Sequence, residues 1–356
     1  MAAFRSGSIL AVLEQLDDLV RADVVLDDGT QIAAAGFTSM LGPVDAGNRV
    51  VVNTTGIELG LGTGGVGFLL WNLDGRGPGE LGPGHIVKLR YTPWQANVLA
   101  AEEPDSPHHA VLATAEDIAA MPVVACGLHS QVAGVAAGIK AARPDALVGY
   151  LMTDGASLPL QWSDLVRSLR AEGLVDVTCT SGHAFGGDLE AVNVFSGLVA
   201  LRHAAGCDIA VTAMGPGVVG TSTALGFSAL EQGQLLDAAT ALGGRAVACL
   251  RVSFADERAR HGGISHHVLT ALRVAARERA TVVLPKLGPG EIESLRRQLH
   301  EAGVDARHDI VLGDGGAGVA LLEEKAVTSS SMGRSLEEIP ELFLAAAAAG
   351  AVAAGA

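Results

Sequence analysis

Three histidines fall close together in one short polar segment, at His261, His266 and His267. Seven of the fifteen residues from 253 to 267 are charged or histidine, so this segment carries groups that can move protons. Ser265 is suited to cap a following helix, which puts His266 and His267 in its first turn. The positive end of a helix dipole disfavours protonation there. A neutral imidazole suits a general base or a metal ligand. Adjacent histidines do not easily reach one ion, and the chain has no HxxxH or HxH pair, so a metal reading is the weaker of the two. The structural alternative is a surface loop whose histidines cap or pack.

Other polar groups sit after other apolar runs. His183 follows residues 177–180 and precedes Gly186 and Gly187, which let a ligand approach the backbone. Asp188 reads as the N-cap of a next helix, with Glu190 favoured by its dipole. The run from Met214 to Thr223 has the composition of an anion loop, through Gly215, Gly217, Gly220 and Thr221. It is neither GxGxxG nor a P-loop. A plain tight turn is the competing account. His129 with Ser130, and Asp154 with Ser157, follow two further apolar runs. Neither serine lies in a GxSxG elbow, so a serine hydrolase lacks its signature. Residues 53–65 are rich in glycine and hydroxyls. Beyond them lies a basic strand in which Lys88 and Arg90 share a face, to meet an anionic ligand or an acidic protein surface.

These residues need elements to hold them at one edge. Apolar strands at 123–126, 148–152, 177–180, 209–213 and 247–250 alternate with helical patterns at 131–142, 159–172, 188–205, 228–242, 266–279, 290–302 and 317–325, and a last one from 336. Such alternation predicts an α/β fold with a mostly parallel, doubly wound, Rossmann-like sheet. The strand ends of such a sheet meet along one edge, where ligands bind. Ser228 with Glu231, and Ser335 with Glu338, read as capping boxes, and Gly243-Gly244 as a helix stop. The first hundred residues differ. Short β-rich runs at 8–16, 20–26, 31–35, 49–53 and 66–73, with the turn Asp27-Asp28-Gly29-Thr30, predict a small antiparallel β-barrel or β-sheet. The expected division is a β domain over 1–100, a connecting segment over 101–121 and an α/β domain over 122–356.

Composition narrows the function classes. A net charge of −15 argues against a nonspecific nucleic-acid surface. The long apolar stretches are broken by Gly, Pro and polar residues and make poor membrane spans. Four cysteines without a CxxC pair read as reduced buried thiols. A cytoplasmic protein is therefore expected, without nucleic-acid or membrane partners. Its Ala-rich C-terminus is a candidate interface for a homo-oligomer.

Seven runs carry a resemblance over nearly the whole chain: NTTGIELGLGTGG, HIVKLRYTP, GLHSQ, MTDGASLPL, SGHAFGGDLEAVN, MGPGVVGT and RVSFADERARHGGISHH. In order, they resemble domain-of-unknown-function family 3866. The resemblance implies a bacterial cytosolic protein, and it brings no activity to carry over.

The residues themselves point to a small-molecule enzyme, performing hydrolysis or group transfer on an anionic metabolite. Its catalytic groups would be His183, His266, His267, Asp154 and Asp256. Its ligand-binding groups would be His129, Ser130, Gly186, Gly187, Gly215, Gly217, Gly220, Thr221, Lys88 and Arg90. A divalent metal, held by His129, His183 and His261, would make it a metal-dependent hydrolase. A ligand sensor or scaffold without turnover is the alternative from another class. The number of titratable groups at strand ends favours the enzyme.

Overall fold

A hairpin near the N-terminus shows how local chemistry shapes the first part of the fold. In the computed structural model, β2 (Leu19–Leu26) runs into β3 (Gln31–Phe37) through Asp27-Asp28-Gly29-Thr30. Gly29 takes a φ of 86°, and the Asp28 carboxylate accepts from Thr30 N–H. β2 alternates buried and half-exposed residues, as a strand with one core face must. With β1 (Phe4–Gln15), β4 (Arg49–Asn53) and β5 (Val66–Asn72) it closes a barrel in the order β1-β2-β3-β5-β4. The barrel is antiparallel except where β3 meets β5, which pair in parallel. Ile9, Val20, Ala22, Val24, Val50, Val52 and Leu69 fill it.

The structure describes residues 2–61, 65–75, 77, 81–256 and 258–355. Part of the glycine- and hydroxyl-rich run at 53–65, part of the Gly/Pro-rich segment at 75–84, and Glu257 lie outside the described residues. Two compact units are present. One comprises Met1–Pro83 and Leu89–Asn97, and the other Gly84–Lys88 and Val98–Ala356.

The second unit is built on eight parallel strands. They are β6 (Pro122–Ala125), β7 (Val148–Thr153), β8 (Val177–Ser181), β9 (Leu189–Ala191), β10 (Ile209–Met214), β11 (Arg245–Cys249), β12 (Thr281–Pro285) and β13 (Asp309–Gly313). Their order is β9-β8-β7-β10-β6-β11-β12-β13. β6, β7 and β10 are buried at every position, because helices cover both faces of the sheet.

The helices segregate by face. α1 (Gln131–Ala142), α2 (Asp164–Ala171), α7 (Gly316–Glu324) and α8 (Pro340–Gly355) share one apolar cluster with Val124, Tyr150 and Met152. α3 (Val194–His203), α4 (Glu231–Ala241), α5 (His266–Thr270) and α6 (Pro289–Glu301) share the other with Val123, Ala125 and Leu151. Sheet residues alternate between the clusters because successive side chains point to opposite faces. β10 lies between β7 and β6 yet sends its chain to the opposite face from both. That is a topological switch point, with its crevice at the strands' carboxyl ends.

Small residues let α1, α7 and α8 approach at backbone distance. A Cβ on Gly138 would overlap the carbonyl of Ala347, and one on Gly350 the carbonyl of Val135. α8 is accordingly buried within its own unit, with Phe343 and Ala345 to Ala349 sealed from solvent. The Ala-rich terminus is core packing, not an exposed interface. Gly138→Val is expected to lower unfolding stability by about 3 kcal/mol, since backbone atoms cannot yield as a side chain can. Gly290→Ala has open space and serves as the control. Equal urea midpoints for the two variants would contradict this close packing.

Several helix signals resolve differently from expectation. Asp188 caps no helix, because the chain enters β9 there. Its carboxylate instead accepts from Thr178 N–H and hydroxyl, at 2.8 and 2.9 Å. α3 begins later, capped by Asn193 in a reciprocal pair with Ser196. Ser228 makes no capping bond, since a 3₁₀ turn precedes α4 and Ser228 Oγ accepts from Val219 N–H. Gly243 does end α4, with a φ of 68°. Among the described residues, no helix is long and apolar enough to cross a membrane, and all four cysteines are buried free thiols.

Candidate functional site

The loop after β11 builds the densest group of titratable side chains. Leu250 is the last apolar residue, and Arg251 follows it, almost wholly buried. Arg251 Nη2 pairs with Asp256 at 2.9 Å, and Arg258 Nη2 grips the same carboxylate at 2.9 Å. These bonds, those of Arg258 foremost, hold the Asp256 carboxyl far below the usual carboxylate range. Asp256 therefore stays ionised and fully engaged, which removes it as an acid or base. It positions Arg251 instead.

Arg251 in turn reaches the histidines. Its Nη1 donates to His261 Nδ1 at 2.8 Å. A guanidinium only donates, so Nδ1 is the accepting nitrogen in this pair. The Ser265 hydroxyl lies 2.8 Å from the same Nδ1. His261, His266 and His267 then pack ring against ring, with centroids 4.3 to 5.1 Å apart. His267 also stacks on Phe227 at 4.0 Å.

All three imidazoles are held neutral. Burial lowers the His261 pKa to about 3, with Arg251 and Arg258 adding to it. Burial lowers His267 to about 4, with His266 and the arginines adding to it. His266 is lowered too, again chiefly by burial. The expected neutrality is present, with burial as its first cause and neighbouring cations adding to it. Ser265 does cap α5, accepting from His267 N–H. That α-helix spans five residues before passing into a π-helical turn at Ala271–Ala275.

Part of the glycine-rich loop after β10 meets this group. A Cβ on Gly220 would stand 3.6 Å from the His267 ring. Two of the loop's hydroxyls are engaged internally, however. Thr221 Oγ1 donates to Gly226 O, and Gly226 N–H donates to Thr223 Oγ1. Gly215 is needed because a Cβ there would overlap Ser157 O, and Gly217 takes a φ of 116°. The segment from Thr221 to Gly226 is thus a self-bonded turn.

The remaining candidates divide into separate places. His129 is 8% exposed and satisfied on both nitrogens. Its Nδ1 lies 3.1 Å from the Tyr150 hydroxyl and 3.3 Å from Met214 O, and its Nε2 lies 2.7 Å from Ser163 Oγ. A carbonyl only accepts, so Nδ1 holds the proton and Nε2 accepts from Ser163. His129 is a core histidine tying β7, β10 and the α2 cap. Burial lowers its pKa to about 4. A depressed folded pKa gives stability that is present above the ordinary value of 6.5 and is lost as pH falls through about 4. For this buried group the loss is of order 3 kcal/mol. His129→Gln is expected to flatten that part of the stability-against-pH curve, measured by urea unfolding from neutral to acid pH. An unchanged slope would contradict the assignment.

Asp154 and His183 do come together, through the backbone. Asp154 Oδ2 accepts from His183 N–H at 3.0 Å. Gly186 N–H donates to Glu190 at 2.6 Å and Gly187 N–H to Thr180 at 3.2 Å, so these amides serve the chain rather than a ligand. Ser130 donates to Ser331 Oγ at 2.9 Å. Lys88 is fully buried and pairs with Glu190 at 3.2 Å, so it is a core cation. The strand holding Lys88 ends there, since Leu89 has a φ of 50°, and exposed Arg90 does not continue it.

For a metal, the described residues offer one group of three close ligand atoms, on His261, His266 and His267, within 4.8 Å of one another. The expected set of His129, His183 and His261 is not assembled. The spacing of the observed group suits an ion, but its surroundings do not. Arg251 occupies His261 Nδ1, and Arg260 Nε lies 3.4 Å from its Nε2. Cations on both nitrogens oppose a third.

Sequence reading missed the residues that make this edge rigid. Gln131 Oε1 accepts from Gly127 and Leu128 N–H at 3.0 Å each, and its Nε2 donates to Leu250 O. Gln232 Nε2 donates to Ala125 O and Cys249 O. Two amides thus tie together the ends of β6 and β11. For Gln131, a polar residue opening a largely apolar helix is the signal that marks it.

The family model for Protein of unknown function (DUF3866) matches residues 33–350. The chain belongs to the DUF3866 family. The match takes in the whole parallel sheet and both loops that form the histidine cluster. No curated protein and no solved structure matches this family member.

Proposed function

We propose that the chain is an enzyme that hydrolyses, or transfers a group on, a small anionic metabolite, with His266 and His267 as its acid–base groups. One observation carries this reading. Among the described residues, neither ring nitrogen of His267 has a hydrogen-bond partner, and His266 is bonded only through Nδ1, to Arg260 O at 3.2 Å. Histidines kept for structure have their nitrogens satisfied, as His129 does. Two half-buried neutral imidazoles with open nitrogens are bases without a substrate. Either can take the proton of an attacking water or hydroxyl and return it to the leaving group. Arg251 and His261 position them.

Spacing alone favours the metal-dependent version, and the surrounding arginines count against it. One metal per chain in protein purified without a tag, lost on His266→Ala, would restore it. The main test is incubation with a panel of small anionic metabolites, followed by mass spectrometry. Product is expected with the native chain and not with folded His267→Ala. A ligand that binds and is recovered unchanged would make the protein a sensor and end the enzyme reading.

A further inference from the structure

A second feature shares Arg251 with the histidine group. A cavity of roughly 210 Å³ is lined by Arg251, Arg258, Arg334, Ser253, Ser331 and Met332, among others. Its rim is formed by the hairpin Ser330–Ser331 and Arg334–Ser335. The hairpin turn places Met332 at a φ of 54° and Gly333 at 79°, a pair of left-handed residues that folds Arg334 back beside Ser331.

The charges here do not balance. Asp256 is the one carboxylate lining the cavity among the described residues, against three guanidiniums. Arg251 and Arg258 share it, while Arg334 has no ion pair among the described residues and spends Nη1 on Ala255 O at 3.0 Å. Glu341 reaches the same segment through Phe254 N–H, but it does not line the cavity. Among the described lining residues, two positive charges are left over. Like charges gathered without a counter-ion cost free energy, and a structural account of Arg251–Asp256–Arg258 does not require Arg334.

A further observation points to a ligand. Ser253 is 3% exposed, lines the cavity, and its hydroxyl has no partner among the described residues. It is one of six buried polar side-chain atoms without a partner among the described residues and the one whose residue lines this cavity, where an occupant would supply the missing bond. Volume restricts what that occupant is. The space is smaller than the ~300 Å³ at which pockets for drug-sized ligands begin. Guanidinium forks and hydroxyls match the oxygens of a phosphoryl group, and a dianion neutralises the surplus.

We infer that this cavity binds a phosphoryl dianion, held by Arg251, Arg258 and Arg334 with Ser253. The inference deepens the proposed function by giving the substrate's anionic end a place. It also moves that place from the glycine-rich loop to the arginine cavity. The ligand is either free phosphate or the phosphoryl end of a small metabolite.

Calorimetric titration with inorganic phosphate and with glycerol 3-phosphate tests it. Saturable binding is expected, weakened by salt, and about ten- to a hundredfold weaker in Arg334→Gln, the loss of a charged hydrogen bond. Ser253→Ala is expected to weaken it less. Tighter binding of glycerol 3-phosphate would mark a metabolite, and equal binding free phosphate. His267→Ala is expected to bind phosphate as the native chain does, so failure of the catalytic reading would leave this result intact. No saturable binding of either probe at millimolar concentration, or binding unchanged in folded Arg334→Gln, would overturn the inference.

Discussion

Lys88→Ala is expected to destabilise the α/β unit by about 3–5 kcal/mol, the usual cost of removing one partner of a buried ion pair. Lys88 is 0% exposed, and its ammonium donates to Ala191 O at 3.1 Å and pairs with Glu190 at 3.2 Å. Burial raises the Glu190 pKa, and Lys88 is the largest influence opposing that rise. Among the described residues, the carboxylate without Lys88 keeps only the Gly186 N–H and the Thr180 hydroxyl. The double variant Lys88→Met with Glu190→Gln should recover much of the loss, because it leaves no uncompensated charge. Urea unfolding of the native, single and double variants checks this. A single variant as stable as the native chain would show that Lys88 is not a core cation.

The second large effect concerns His267. Its replacement by alanine should cut turnover by about 10²–10⁴, the ordinary contribution of a general base. Burial hinders its protonation most, followed by His266, Arg251, Arg260 and Arg258, and the His261 ring also faces it. Activity should therefore persist as pH falls through 6.5, the ordinary imidazole value, and disappear only towards about 4. An ordinary exposed histidine would lose activity about 2.5 pH units earlier, roughly a three-hundredfold difference at that point. Circular dichroism at each pH separates this limb from the acid unfolding linked to His129. A profile that falls at 6.5 with the fold intact would rule out a neutral, depressed His267 as the base.

The fold was largely legible in the chain. Val123 to Ala125, Val148 to Met152 and Ile209 to Ala213 are too short and apolar for exposed elements, and each strand is bounded by a polar turn. Their strand character follows from local pattern, and so does the parallel sheet, because helices intervene. β12 and β13 were less visible, since Thr281-Val282-Val283 and Asp309-Ile310-Val311 are short runs among helical patterns. Asp188 misled because an aspartate opens a helix and tethers a strand edge with the same carboxylate chemistry. Only its distance to Thr178 tells these apart.

The site was legible in part. His261, His266 and His267 are close in sequence, so one loop suffices to gather them. His129 looked the same in one dimension, as a histidine after an apolar strand. Its burial against Tyr150 and Ser163 depends on β7, β10 and α2, which meet only in the folded unit. Arg251 and Arg334 are 83 positions apart and share a cavity because a hairpin brings the second back to the first. Periodicity, turn residues and charge act over a few residues, and by themselves they determined the two-part α/β architecture and the histidine-rich loop. Strand order, the partner of Lys88, and which histidines keep open nitrogens were decided by contacts between distant segments, because burial and pairing exist only after the chain has packed.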